Sequence, residues 1–244
     1  MQATHRRLAT AGFVAVAALA LGACGFGPRS SATDTYTEDA GITAVRIDLE
    51  AGSVTLRGSD PATGLSIERT VDFVGEYPAH DTHRVEDGVL VLAGCGRHCS
   101  ASYTVDLPAG LPVMGETSHG SIDLDRTGAV DVRTSNGSVT LAGIDAKVLA
   151  RTSNGKISGT GLGGTEGVDV ETSNGSIELT LSTPQDVSAT TDNGTVHLTV
   201  PEGSYRVSAT TDLGGTDVSV PDDPDGEHHL VAGSSNGRVT VAQG

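Results

Sequence analysis

The sequence predicts an all-β fold, a β-solenoid or β-helix-like stack of short repeated strands, and three observations predict it. From about Gly115 to the end, one short unit recurs seven times, each copy turning at a glycine that usually follows asparagine. The marker glycines, Gly120, Gly137, Gly155, Gly175, Gly194, Gly214 and Gly237, stand 17 to 23 residues apart, room for two or three short strands per coil. Apolar residues recur at even steps on both sides of each turn, the period of a strand with one buried face. A β-sandwich or meander is the rival architecture, because Asn-Gly also serves hairpins.

Taken in chain order, residues 1–23 read as an address. Arg6 and Arg7 precede the uncharged, mostly apolar run Leu8 to Ala20, which is too short to span a bilayer as a helix. Leu21-Gly22-Ala23-Cys24 follows and resembles the lipobox of bacterial lipoproteins. That resemblance implies cleavage after Ala23, a lipid on Cys24, and attachment to the cell membrane on its extracytoplasmic side. Two or more acyl chains are needed for a lasting anchor. Residues 24–40, with Pro28 and several Ser and Thr, lack apolar periodicity and read as a flexible tether.

Residues 41–112 form an irregular N-terminal β portion. It holds an outlying copy of the repeat, with Val45, Ile47 and Leu49 before Gly52, and then longer strands, with a hairpin expected at Glu86-Asp87-Gly88. Cys95 and Cys99 flank three residues, and outside the cytoplasm such a pair is expected to form a disulfide that pins a turn.

Residues 113–244 form the regular portion, continuous with the one before. Six positions before each residue preceding a marker glycine stand Val113, Val130, Val148, Val168, Val187, Val207 and Leu230. Three positions after it stand Ile122, Val139, Ile157, Ile177, Val196, Thr216 and Val239. Thr117, Thr134, Thr152, Thr172, Thr191, Thr211 and Ser234 share the parity of the apolar columns, so they are expected to form an inward hydroxyl ladder. Asn-Gly is expected at the corners because it tolerates positive φ. His119 and Leu213 replace asparagine at two of them.

Ser102-Tyr103-Thr104-Val105-Asp106-Leu107-Pro108-Ala109-Gly110, followed by serial Thr-Ser-Asn-Gly-Ser-Val/Ile units, resembles the DUF4097 family of adhesin-like, extracytoplasmic β-repeat proteins. The resemblance spans roughly Ile42 to Ala242. It implies the architecture and an adhesin-like role, and it brings no catalytic set to lay onto these residues.

Composition narrows the function classes. The net charge of −16 disfavours attraction to nucleic acid or anionic lipid at long range. With 33 Gly, no Trp, 3 Phe and 4 Tyr, the chain has few large aromatic groups to line a roomy apolar pocket. No nucleophile elbow, phosphate-binding glycine loop or zinc-protease helix occurs, so no catalytic residue and no enzyme activity is expected. No cofactor and no metal is expected either. His80, His83, Cys95, His98 and Cys99 offer ligand atoms but lack a zinc-site spacing, and the acidic segment from Pro221 to Glu227 lacks the order of a calcium loop.

What remains is a lipid-anchored binding or structural scaffold. Its candidate exposed contributors are Asp131, Arg133, Lys156, Asp169, Glu171, Glu178 and His197. Beyond the membrane itself, its expected partner is an envelope protein, a cell-wall polymer or a cell-surface ligand. A sensory or regulatory partner of a membrane protein system is the alternative reading, and a polysaccharide-acting enzyme the remote one.

Overall fold

The computed structural model describes residues 15–16, 29–38, 41–60, 64–78 and 81–244; Cys24, His80 and most of the expected signal lie outside them. These residues form two sheets and no helix. The front of the molecule comprises β1 (Ala15–Val16), β2 (Arg29–Glu38), β3 (Ala44–Ala51), β4 (Val54–Ser59), β5 (Leu65–Val74), β6 (His83–Glu86), β7 (Val89–Ala93) and β8 (Cys99–Pro108). Seven coils follow, each with one strand before its corner glycine and one after. They are β9 (Val113–His119) with β10 (Ile122–Asp125), β11 (Val130–Asn136) with β12 (Val139–Ala142), and β13 (Val148–Asn154) with β14 (Ile157–Leu162). Then come β15 (Val168–Asn174) with β16 (Ile177–Leu181), and β17 (Val187–Asn193) with β18 (Val196–Val200). The last two are β19 (Tyr205–Leu213) with β20 (Thr216–Val218), and β21 (His228–Asn236) with β22 (Val239–Gln243).

Strands before the corner stack in parallel in one sheet, here called the B sheet, and strands after it stack in parallel in the other, the A sheet. This coil-on-coil arrangement is the predicted solenoid. The ladders carry the expected register residue for residue: Val113 pairs with Val130, Val130 with Val148, Val148 with Val168 and Val168 with Val187. The apolar columns of both sheets face each other as a thin core in which Val132, Val139, Leu141, Val170, Ile177 and Leu198 are buried. Each such side chain contributes about 1.5–3 kcal/mol by leaving water.

The order of stacking differs from the order of sequence at both ends. The B sheet runs β19-β21-β17 at its back, so the seventh coil inserts between the fifth and the sixth. At the front, β3 lies between β7 and β9, and β4 between β8 and β10, so the outlying copy is likewise one coil in from the end. The chain steps past one coil between β18 and β19 and returns between β20 and β21, within the 23-residue interval before Gly237.

The expected tether at 24–40 is corrected over Arg29–Glu38. This segment is β2, paired antiparallel with β5 along its whole length, from Arg29 opposite Val74 to Glu38 opposite Leu65. The β-branched run Thr33, Thr35 and Thr37 suits a strand, and the segment gains its order by covering the front of the A sheet. The hairpin at Glu86-Asp87-Gly88 is present, joining β6 to β7 with Asp87 and Gly88 both at positive φ (50° and 79°).

Candidate binding surface

Each corner is a small machine for stacking. The threonine hydroxyl two positions before the corner asparagine donates to the carbonyl of the neighbouring coil's corner glycine, as in Thr134 to Gly120, Thr152 to Gly137, Thr172 to Gly155 and Thr191 to Gly175, at 2.9–3.0 Å. The ladder is inward as expected, and of the two partners open to each hydroxyl, a neighbouring side chain or the backbone, it takes the backbone. Glycine is required here for a reason other than the expected one: a Cβ on Gly155 would sit 2.0 Å from the Gly137 carbonyl oxygen. Close approach between coils, more than positive φ, selects the residue.

Outside the corner, asparagines form a second ladder. The amide nitrogens of Asn154, Asn174, Asn193 and Asn236 donate to the side-chain oxygens of Asn136, Asn154, Asn174 and Asn193 at 3.1–3.2 Å. The stacking order explains the two exceptions. His119 ends the ladder at the front and Leu213, 70% exposed, lies beyond it at the back, where no further asparagine waits for a partner.

The seven nominated residues divide between surfaces. Asp131, Arg133, Asp169 and Glu171 lie on the outer face of the B sheet, while Glu178 and His197 lie side by side on the outer face of the A sheet. Lys156 follows a corner and pairs with Glu178, and its hydrogen bond holds that carboxyl below the usual range. No single site therefore gathers all seven.

The B-sheet face has the more distinctive pattern. One row across the strands reads Asp48, Glu116, Arg133, Arg151, Glu171, each directly opposite the next. Arg151 is bonded to Asp169 and Glu171, whereas Arg133 makes no ion pair among the described residues. Two like charges directly opposed on neighbouring strands are unfavourable. The arginines border an open groove of ≈ 520 Å³ lined also by Met114, 46% exposed, and by Arg46 and Asp131.

A second cluster escaped the sequence reading. Arg69, 4% exposed, donates to Asp34 Oδ2 (2.6 Å), Tyr36 Oη (2.8 Å), Tyr77 Oη (2.7 Å) and Thr82 Oγ1 (3.0 Å), and Tyr103 Oη lies within hydrogen-bond distance of both Thr82 Oγ1 (2.6 Å) and the Ala93 carbonyl (2.7 Å). Burial raises the Asp34 carboxyl, but the bonds from Arg69 and Tyr77 outweigh it and hold the group below its ordinary value. Burial, followed by the bond to Asp34, pushes Tyr77 up to about 12. Two of the four tyrosines thus bond one arginine and a third reaches it through Thr82, binding β2 and β5 to the front coil. The alternation of Asp34 and Tyr36 between threonines was the available signal.

Cys95 and Cys99 have Cα atoms 5.8 Å apart, a separation that a disulfide spans. The acidic tail segment closes on the chain's own donors: Asp222 accepts from the Val207 amide (2.9 Å), Asp223 from Ser204 (2.9 Å), and Arg206 donates to the Pro224 carbonyl. Among the described residues no group of three or more His, Cys, Asp or Glu is placed to hold a metal ion.

A family model described as Toastrack DUF4097 matches residues 105–243. Three solved structures resemble the chain. One is of a cell-adhesion candidate from Clostridium sporogenes (12% identity, 87% of this chain and 99% of that one, TM-score 0.43). The others are of adhesin-like proteins from Bacteroides fragilis (14%, 87% and 96%, 0.43) and Parabacteroides distasonis (15%, 89% and 98%, 0.45). No curated protein matches.

Proposed function

The chain belongs to the Toastrack DUF4097 family, and we propose that it works as a lipid-anchored, extracytoplasmic scaffold that binds a surface ligand through the outer face of its B sheet. The observation that carries this reading is the opposed pair Arg133 and Arg151, flanked on both sides by carboxylates in one row across parallel strands. Strands repeat every 4.7–4.9 Å or so, which fixes the spacing of the charges along the row. An extended ligand laid across the strands meets two cations at its centre and carboxylates on either side. A wall polymer or envelope protein presenting carboxylates opposite the arginines, with cations flanking them, complements that order. Because the whole chain is acidic, recognition is local and short-ranged rather than steered from a distance. Weak contacts from several rows add through multivalency.

The lipid anchor rests on the order of basic, apolar and small-Cys elements before Cys24. Intact mass of membrane-extracted protein should show 23 residues removed and an acylated Cys24. For the ligand, purified mature chain is tested for co-sedimentation with insoluble cell-wall polymer, beside the double variant Arg133→Glu, Arg151→Glu. Loss of at least about tenfold in binding is expected, since two charge reversals act at one centre. Equal binding by the double variant would remove the B-sheet face from the reading, and a single stoichiometric membrane receptor with no affinity for wall polymer would favour a regulatory role instead.

A further inference from the structure

We infer that one rim of the front end, built from Phe73, Val74, Tyr77, Arg29, Arg97 and His98, rests in the headgroup layer of the membrane; the inference builds on the lipid anchor proposed above. Covalent geometry starts the argument. Arg29, the first residue of β2, is five residues after Cys24, and five extended residues reach roughly 17 Å at most. With β2 folded onto β5, a lipid on Cys24 holds the start of β2 close to the bilayer surface.

The residues gathered there suit that position. Arg29 lies opposite Val74, the Val74 amide donates to the His98 carbonyl (3.2 Å), and Phe73 lies opposite Cys99. The Phe73 and Tyr77 rings meet edge to face at 5.4 Å. Val74 and Tyr77 are 38% and 41% exposed, two of the few large apolar side chains so exposed among the described residues. Arg97 and His98 project from the turn that Cys95 and Cys99 flank, and neither Arg29 nor Arg97 takes part in an ion pair among the described residues.

Charge agrees with the placement. Across a chain of net charge −16, this rim sets Arg29 and Arg97 against Asp72 and Glu76, so it is locally neutral where the rest repels an anionic surface. Tyrosine with a buried hydroxyl partner and an exposed ring edge, beside apolar side chains and arginines that pair with phosphate, is the composition of an interfacial contact. The stack is thereby held in one orientation, with the front end down and the open end formed by β19 and β20 away from the membrane.

The absence of tryptophan from the chain makes a clean test. The acylated full-length lipoprotein carrying Val74→Trp is reconstituted into vesicles of phosphatidylcholine and phosphatidylglycerol, with or without brominated acyl chains, beside the far-end reporter Leu213→Trp. A blue-shifted Val74→Trp emission, quenched about twofold or more by bromolipid, is expected with no quenching of Leu213→Trp. Vesicle-bound, acylated protein whose Val74→Trp emission is unquenched would overturn the rim contact while leaving the anchor standing. Protein that fails to float with vesicles and lacks the acyl mass would instead overturn the anchor. Should the variant not fold, hydrogen exchange of the unsubstituted lipoprotein on vesicles, compared with soluble Cys24→Ser, reads the same rim. Protection at residues 73–77 and 97–100 is expected, and equal exchange there overturns the contact.

Discussion

At the front of the stack the last coil is covered by β2 and β5 on one sheet and β6 on the other, tied down by a buried arginine with four hydrogen-bond partners. At the back, the last coil is left half open. Val207 and Ala209 are half-buried there, Thr216 and Val218 are exposed, and the guard is a loop in which Asp222 takes up the Val207 amide. Both ends must stop a parallel ladder that would otherwise template another strand. The front does so by covering its edge and the back by placing carboxylates on it. The same column residues are therefore core in the middle of the molecule and surface at its back, and position in the stack outranks residue type.

The largest effect is expected where the front is broken. Arg69→Met removes the cation paired with Asp34, leaving that carboxylate only the Tyr77 hydroxyl and Thr82 only the Tyr103 hydroxyl, and should cost about 3–5 kcal/mol in urea unfolding. Hydrogen exchange should rise in β2, β5 and β6 and stay unchanged in β19. The same cluster sets pH limits. Asp34 is held low, so its contribution is complete above the ordinary carboxylate value of about 4 and is lost as pH falls through the lower folded value. Tyr77 is raised, so its contribution is complete below the unfolded value of about 10 and disappears as pH climbs through about 12. Arg69→Met should flatten the acid limb, because Arg69 is what holds Asp34 low, and leave the alkaline limb at least as steep, because the Arg69 charge opposes the rise of Tyr77.

A smaller effect separates middle from back. Leu141→Ala, in the closed core, should cost about 2–5 kcal/mol, whereas Val218→Ala, 40% exposed in the end coil, should stay within about 0.5 kcal/mol. Matching losses at the two sites would mean that the back is covered in solution. The smallest effect is at the guard itself. Asp222→Ala should cost about 1 kcal/mol by freeing the Val207 amide, and its plainer sign is self-association in light scattering at raised concentration.

Strand register was legible from sequence because parity and the Thr-Ser-Asn-Gly corner fix which side chains face in. Stacking order was not, because Leu230 fits beside Val187 as well as beside Val207; both pairings occur. What decides is the end: Leu213 cannot extend an amide ladder, whereas Asn236 can, so the seventh coil takes the inner place. The binding surface was legible only as a set of outward residues. Assigning Asp131 and Glu178 to opposite faces needs the path of the coil. The Arg69 cluster stayed hidden because its members, from Asp34 to Tyr103, are scattered along the chain and two of them lie in a segment whose Pro, Ser and Thr content reads as linker.

The inverted order at the back also bears on how such a chain can change length. A copied coil appended after Gly244 would find both sides of β22 occupied, by β18 and β20. A copy inserted between β12 and β13 would meet a matching corner glycine, threonine and asparagine above and below. An interior duplication thus keeps every corner bond of the stack, with the inserted coil bonded on both sides as its neighbours are.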